Sequence, residues 1–165
     1  MLKKNIIDLL NSQIGQEHFS SNLYLQMGAW CDNKGYSGCA KFLYEHADEE
    51  HIHMMKLFHY LSETGNLPVI GALSPPPTEW GDLKKLFEKI LEHEKQITSS
   101  INNLVAKTFA EQDFSTFNFL QWYVSEQHEE EHLFQTILDK MTIIGTEGKG
   151  IYFFDKEIGK LAKKV

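Results

Sequence analysis

Arginine is absent from this 165-residue chain: all sixteen basic residues are lysine. That absence removes the guanidinium fork that ordinarily partners a buried carboxylate. Any acid in the interior must therefore be balanced in another way. Cysteine is scarce. Cys31 and Cys39 form no C-x-x-C pair, which leaves an iron–sulfur or rubredoxin-type centre without support. They are read as two small buried hydrophobes. No apolar run approaches the ~20 residues of a membrane span. Met1 to Asn5 leads directly into an amphipathic segment holding Asp8, Glu17 and His18. That is unlike a secretory leader, so a cytoplasmic protein with no membrane partner is expected. Excess positive charge is also missing. The formal net charge is −7, which argues against nucleic acid as a partner. The chain does have 42% apolar residues, enough for a core, and its length predicts one domain over 1–165.

Four segments repeat apolar residues at helical spacing, and each stripe is interrupted by an acid or amide. One reads Leu83, Phe87, Ile90, Glu94, Ile97, Ile101, Leu104. Another reads Leu43, Ala47, Glu50, Met54, Leu57, Leu61. A third reads Leu120, Tyr123, Gln127, Glu130, Phe134, Ile137, Met141, and the first and loosest reads Leu10, Ile14, Glu17, Tyr24, Met27. Residues so spaced share the face that turns inward. A bare carboxylate there costs several kcal/mol or takes up a proton. None of the lysines falls in these stripes, so a metal is the remaining counter-charge. Glu50-x-x-His53 puts two ligands about 60° apart on one helix face. Carboxylates with an imidazole suit hard or borderline divalent ions, and two such ions would neutralise Glu17, Glu50, Glu94 and Glu130.

The spacing predicts helices over about 4–33, 37–64, 82–110 and 114–141, with a short fifth over about 150–163. Glu17, Glu50, Glu94 and Gln127 lie near the four midpoints, so helices packed side by side bring them to one level. The first and last pairs are joined by short turns, Asn33 to Gly38 and Glu111 to Asp113, as antiparallel neighbours are, with Asp113 as an N-cap. All four prolines fall between Gly65 and Gly81. That stiff segment reaches roughly 50 Å, more than the ~42 Å of a 28-residue helix. It can return the chain along the whole bundle and make the second and third helices parallel. The fold class is all-α: a four-helix bundle with one long crossover between helices two and three. The fifth helix carries Ile151, Phe154, Ile158 and Leu161 with Lys156, Lys160, Lys163 and Lys164. It must pack on the bundle end or on another subunit.

These residues identify a family. Glu17, the run Glu49-Glu50-His51-Ile52-His53, Thr64-Gly65-Asn66-Leu67-Pro68, Glu94 and the run Asn118 to Glu131 carry the match. Over essentially its whole length the chain resembles a bacterial non-haem ferritin of the ferritin-like di-iron superfamily. The resemblance implies an iron-oxidising centre in each subunit. Glu17, Glu50 and His53 would hold one iron, with Glu50 bridging, and Glu94 and Glu130 the second. Gln127 would lie beside the pair, and Tyr24 would touch it from behind. A third iron position would use Glu49, Glu126, Glu129 and Glu130. The resemblance further implies Fe(II) as substrate, dioxygen or hydrogen peroxide as oxidant, and a 24-subunit homo-oligomeric shell storing ferric mineral.

The haem-binding relatives place methionine directly after the bridging glutamate, where this chain has His51. Their fourth helix carries a second Glu-x-x-His, where this chain has Gln127-x-x-Glu130. No haem is expected. His18, His46, His51, His59, His93, His128 and His132 are read as surface or packing residues. Tyr24 and Trp122 are read as core aromatics, either of which could also supply an electron during oxidation.

Overall fold

The computed structural model describes residues 2–162. Five helices follow one another: α1 Lys4–Asn33, α2 Ser37–Glu63, α3 Leu83–Ala110, α4 Phe114–Ile144 and α5 Lys149–Leu161. There is no strand among the described residues. The expected all-α bundle is present. α4 runs three residues past the expected Met141 and stops where Gly145 takes a φ of 86°, a conformation an L side chain rarely adopts. Lys163 and Lys164 lie outside the described residues.

Local chemistry sets the helix starts. The Asp82 carboxylate accepts from the Lys85 backbone N–H at 2.8 Å, and Asp113 accepts from that of Thr116 at 3.1 Å. Each satisfies a donor that a helix start leaves open. α2 has no such cap of its own. The cap comes from α5: Asp155 accepts from the backbone N–H groups of Gly38 at 3.1 Å and Cys39 at 2.8 Å. The approach needs glycine. A Cβ at Gly38 would collide with the Asp155 carbonyl oxygen, and one at Gly159 would come within 2.9 Å of the Gly38 Cα. Cys31 and Cys39 are buried free thiols nearby, and burial pushes the Cys31 thiol up to about 12.

The crossover is tied to α1 along its length. The Val69 backbone N–H donates to Asn11 near the start of α1. Glu79 accepts from the Trp30 indole at 3.0 Å near its end, where Trp80 also packs edge-on to Trp30. The chain thus returns to the end at which α2 began, and α3 runs parallel to α2.

The four long helices are unevenly spaced. α1 with α2, α3 with α4, and α1 with α3 bring Cα atoms within 8 Å of each other; α2 and α4 do not, among the described residues. They meet through side chains instead. Tyr60 and Thr116 hydroxyls bond at 2.8 Å, and the Tyr123 hydroxyl donates to the His53 carbonyl at 2.7 Å.

Candidate metal centre

The core is divided into two apolar storeys. One, toward α5, holds Tyr24, Met27, Leu43, Phe87, Phe134 and Phe154 among others. The other holds Ile6, Leu10, Leu57, Ile101, Leu120 and Tyr123 among others. Between them lies one polar layer, contributed by the interrupted stripe positions of all four long helices. Glu17, Glu50, His53, Glu94, Gln127 and Glu130 are each 5% exposed or less.

Glu17, Glu50 and His53 converge. One ligand atom from each lies within 4.8 Å of the others, and His53 Nδ1 stands 3.3 Å from Glu50 Oε2. Glu94 is gripped from two sides. The Tyr24 hydroxyl donates to its Oε1, and Gln127 Nε2 donates to its Oε2 at 3.0 Å. Glu130 Oε2 lies 3.1 Å from His46 Nε2. Among the described residues no lysine pairs with any of these four acids.

The electrostatics follow from burial without a counter-ion. Burial raises the Glu17 carboxyl well above its usual range, and the charge of Glu50 raises it further. Glu50 is raised by burial and then by Glu94 and Glu130. Glu94 is lifted to about 7 by burial, against the hydrogen bonds from Tyr24 and Gln127. Burial and the surrounding acids push the Tyr24 hydroxyl well up, so it stays a donor. Such a cage favours the protonated acids and could exchange those protons for a divalent cation. Carboxylates plus one imidazole suit borderline divalent ions.

The residues expected at a third position come together in part. Glu49, Glu126, Glu129 and Glu130 all border one cavity of about 640 Å³ between α2 and α4. Only Glu49 and Glu130 form a tight group there, and the third member is His46. Glu126 Oε1 sits 3.7 Å from His53 Nε2, while Glu129 is exposed.

Three findings depart from the sequence reading. His46, read as a surface or packing residue, is 5% exposed and lies inside the polar layer. Its place was readable: it precedes Glu49 by three residues and Glu50 by four. Gln13, unremarked in the sequence, is buried and donates to Glu17 Oε1 at 2.8 Å. It precedes Glu17 by one helical turn. Trp122 is not a core residue. It is 37% exposed, edge-on to the His53 ring, with Lys56 Nζ 4.3 Å above it. It stands one residue, about 100°, off the buried Tyr123 stripe.

Residues 7–144 match the family described as "Ferritin-like domain". The chain is 58% identical to a probable bacterial non-heme ferritin-like protein of Haemophilus influenzae, over 99% of both chains. It is 50% identical to a bacterial non-heme ferritin of Escherichia coli, over 98% of both. Among solved structures, an open-pore ferritin from Archaeoglobus fulgidus superposes with a TM-score of 0.94 at 38% identity, over 96% of this chain and 98% of that one. A ferritin from Chlorobium tepidum superposes at 0.86 and 48% identity, over 97% and 98%.

Proposed function

The chain belongs to the ferritin family, and on that premise we propose that it is an iron-storage subunit that oxidises Fe(II) inside its own bundle. The observation that carries this reading is the buried layer of acids with, among the described residues, no lysine paired to it. Glu17, Glu50 and His53 would hold one Fe(II), and Glu50, Glu94 and Glu130 the other. Gln127 and Tyr24 hold Glu94 in place between them.

Two irons about 3.5–4 Å apart can take one small molecule between them. Each Fe(II) gives up one electron. Together they reduce dioxygen, with two protons from solvent, to hydrogen peroxide, or they reduce peroxide, with two protons, to two waters. The resulting Fe(III) binds oxide and hydroxide strongly and leaves toward the mineral. An Fe(II) arriving at the cage displaces the protons that Glu17, Glu50 and Glu94 retain when empty.

Assembly into a shell of 24 subunits, in the cytoplasm and from a single domain spanning 1–165, completes the reading. Large apolar residues on the subunit surface support it. Ile143 is 84% exposed and Ile52 64%, and Tyr152 and Phe153 lie open on α5. Such residues gain by being covered in a larger assembly. Among the described residues no helix is long and apolar enough to cross a membrane.

Stopped-flow oxidation of Fe(II) by the assembled protein, with light scattering for its mass, tests the proposal. The expected result is rapid oxidation saturating near two Fe(II) per subunit, in a particle of about 24 × 19.1 kDa. Oxidation no faster than in buffer would overturn the catalytic part. A small oligomer would overturn the shell.

A further inference from the structure

Glu94 is held by two groups that touch it directly. Glu17 is held through a chain that starts outside the acid layer. The Gln16 amide donates to the Ser100 hydroxyl at 3.0 Å, that hydroxyl donates to Gln13 Oε1 at 2.7 Å, and the Gln13 amide donates to Glu17 Oε1 at 2.8 Å. Every donor points toward the acid. Ser100 sets that direction. A hydroxyl has a single proton. Gln16 uses the Ser100 oxygen as an acceptor, so the proton goes to the Gln13 carbonyl. With its carbonyl taken, the Gln13 amide presents its NH₂ to Glu17. Without Ser100 the amide is free to turn over, which would set its carbonyl oxygen against a carboxylate oxygen, two acceptors with no proton between them.

The chain also fixes the level of α1 against α3. Seven residues on from Gln13 along α1 and seven back from Ser100 along α3, Ser20 meets His93 at 2.7 Å. Equal steps in opposite directions are what an antiparallel pair of helices requires. Glu17 lies between Gln13 and Ser20, and Glu94 follows His93. The two cross-links therefore bracket one acid from each helix.

We infer that Ser100, whose hydrogen bonds go to Gln13 and Gln16 and not to an acid, is a positioning residue for the inner cation site. By orienting the Gln13 amide it holds the Glu17 carboxylate toward Glu50 and His53 before an ion arrives. The half-buried Gln16 is the outer end of the same chain. Cation binding stands on this geometry alone, and only the oxidation arm of its test rests on the proposed function.

Zn(II), which has no redox chemistry, is the probe. Alanine is a good helix former, so Ser100→Ala leaves α3 intact. In calorimetry on the assembled protein, Ser100→Ala should bind inner Zn(II) about 5-fold more weakly, and Ser100→Thr, which keeps the hydroxyl, should stay within about 2-fold of wild type. The Fe(II) concentration giving half-maximal oxidation should rise by a similar factor in Ser100→Ala, with the maximal rate within about 2-fold. The double variant Gln13→Leu/Ser100→Ala should bind Zn(II) no more weakly than Gln13→Leu alone, because residues that act through one another are not additive. A lower melting temperature with unchanged Zn(II) affinity would make Ser100 a structural contact only and overturn the inference. Full additivity with Gln13→Leu, or a Ser100→Thr variant as weak as Ser100→Ala, would overturn it too. The expected Zn(II) pattern in a wild-type protein that does not oxidise Fe(II) upholds the positioning role and counts against the proposed function instead.

Discussion

The two long sides of the bundle treat the same polar layer in opposite ways. Where α1 meets α3 the backbones are close, and polar groups are closed by the protein itself. Gln16 donates to the Ser100 hydroxyl, which donates to Gln13, which donates to Glu17. Ser20 and His93 pair at 2.7 Å. Where α2 faces α4 the backbones stand apart, and His46, Glu49, Glu126 and Glu130 border a cavity. The two histidines register the difference. Burial drives the His93 imidazole down to about 4, which keeps it neutral. Burial also pulls His46 down, but the hydrogen bond and charge of Glu130, with Glu49 and Glu94, more than offset it and leave it raised. A closed side fixes the position of the proposed ligands; an open side would let ions reach and leave them.

That contrast can be broken or sharpened by mutation. The largest effect belongs to the acids both sides share. Glu50→Ala and Glu94→Ala should each lower the Fe(II) oxidation rate by about 100-fold or more, since removing even an outer partner of a metal ligand costs about 10–100-fold. Stopped-flow absorbance reads this, and rates equal to wild type would mean the layer is structural only. Next comes the closed side's grip on Glu17. Gln13→Leu removes the amide that fixes Glu17 and should weaken inner metal affinity about 10-fold while leaving fold and assembly intact. Calorimetry with Zn(II) under the same conditions measures it.

A pH series gives a smaller but sign-specific effect. The folded Glu94 carboxyl titrates near 7, above its ordinary 4.5. It carries no penalty below the unfolded value and destabilises the apo fold progressively as pH rises through 7. The raised His46 acts in the same direction. Apo protein should therefore melt at a lower temperature at pH 8 than at pH 5, with Glu94 alone contributing on the order of 3 kcal/mol. Zn(II)-loaded protein should show little of this slope, because the metal keeps the acids ionised and balanced. An apo melting temperature that rises with pH would contradict the sign. The smallest effect is expected at His93. His93→Phe leaves Ser20 its bond to the Gln16 carbonyl and should cost about 1 kcal/mol in chemical denaturation, with oxidation within a few-fold of wild type. A large loss of activity there would erase the distinction between the sides.

Much of this was legible in the order of residues. Periodicity put Glu17, Glu50, Glu94 and Glu130 on inward faces, because a single charge in an apolar stripe has no other address. Four prolines in one segment fixed the long crossover, and through it the parallel course of α2 and α3. Other features were hidden for physical reasons. Histidine is at home both inside and outside, so His46 carried no signal of its own until its distance from Glu49 and Glu50 was considered. An aromatic beside a stripe looks like part of it, and Trp122 next to Tyr123 was misplaced for that reason. α4 continues through Thr142, Ile143 and Ile144 because the stop is Gly145, not the last buried residue, Met141. The width of the α2–α4 gap depends on how four helices settle together, which no single stripe encodes.

The carboxylate that caps α2 is carried by the last helix of the chain. Tension applied to the C-terminus would therefore be felt first as fraying of the segment that presents His46, Glu50 and His53. A cargo fused there would tug on the proposed iron ligands through one aspartate, Asp155, and two backbone amides. The opposite terminus, anchored at the far end of the bundle by ion pairs such as Lys3 with Glu111, is the gentler place to attach a load.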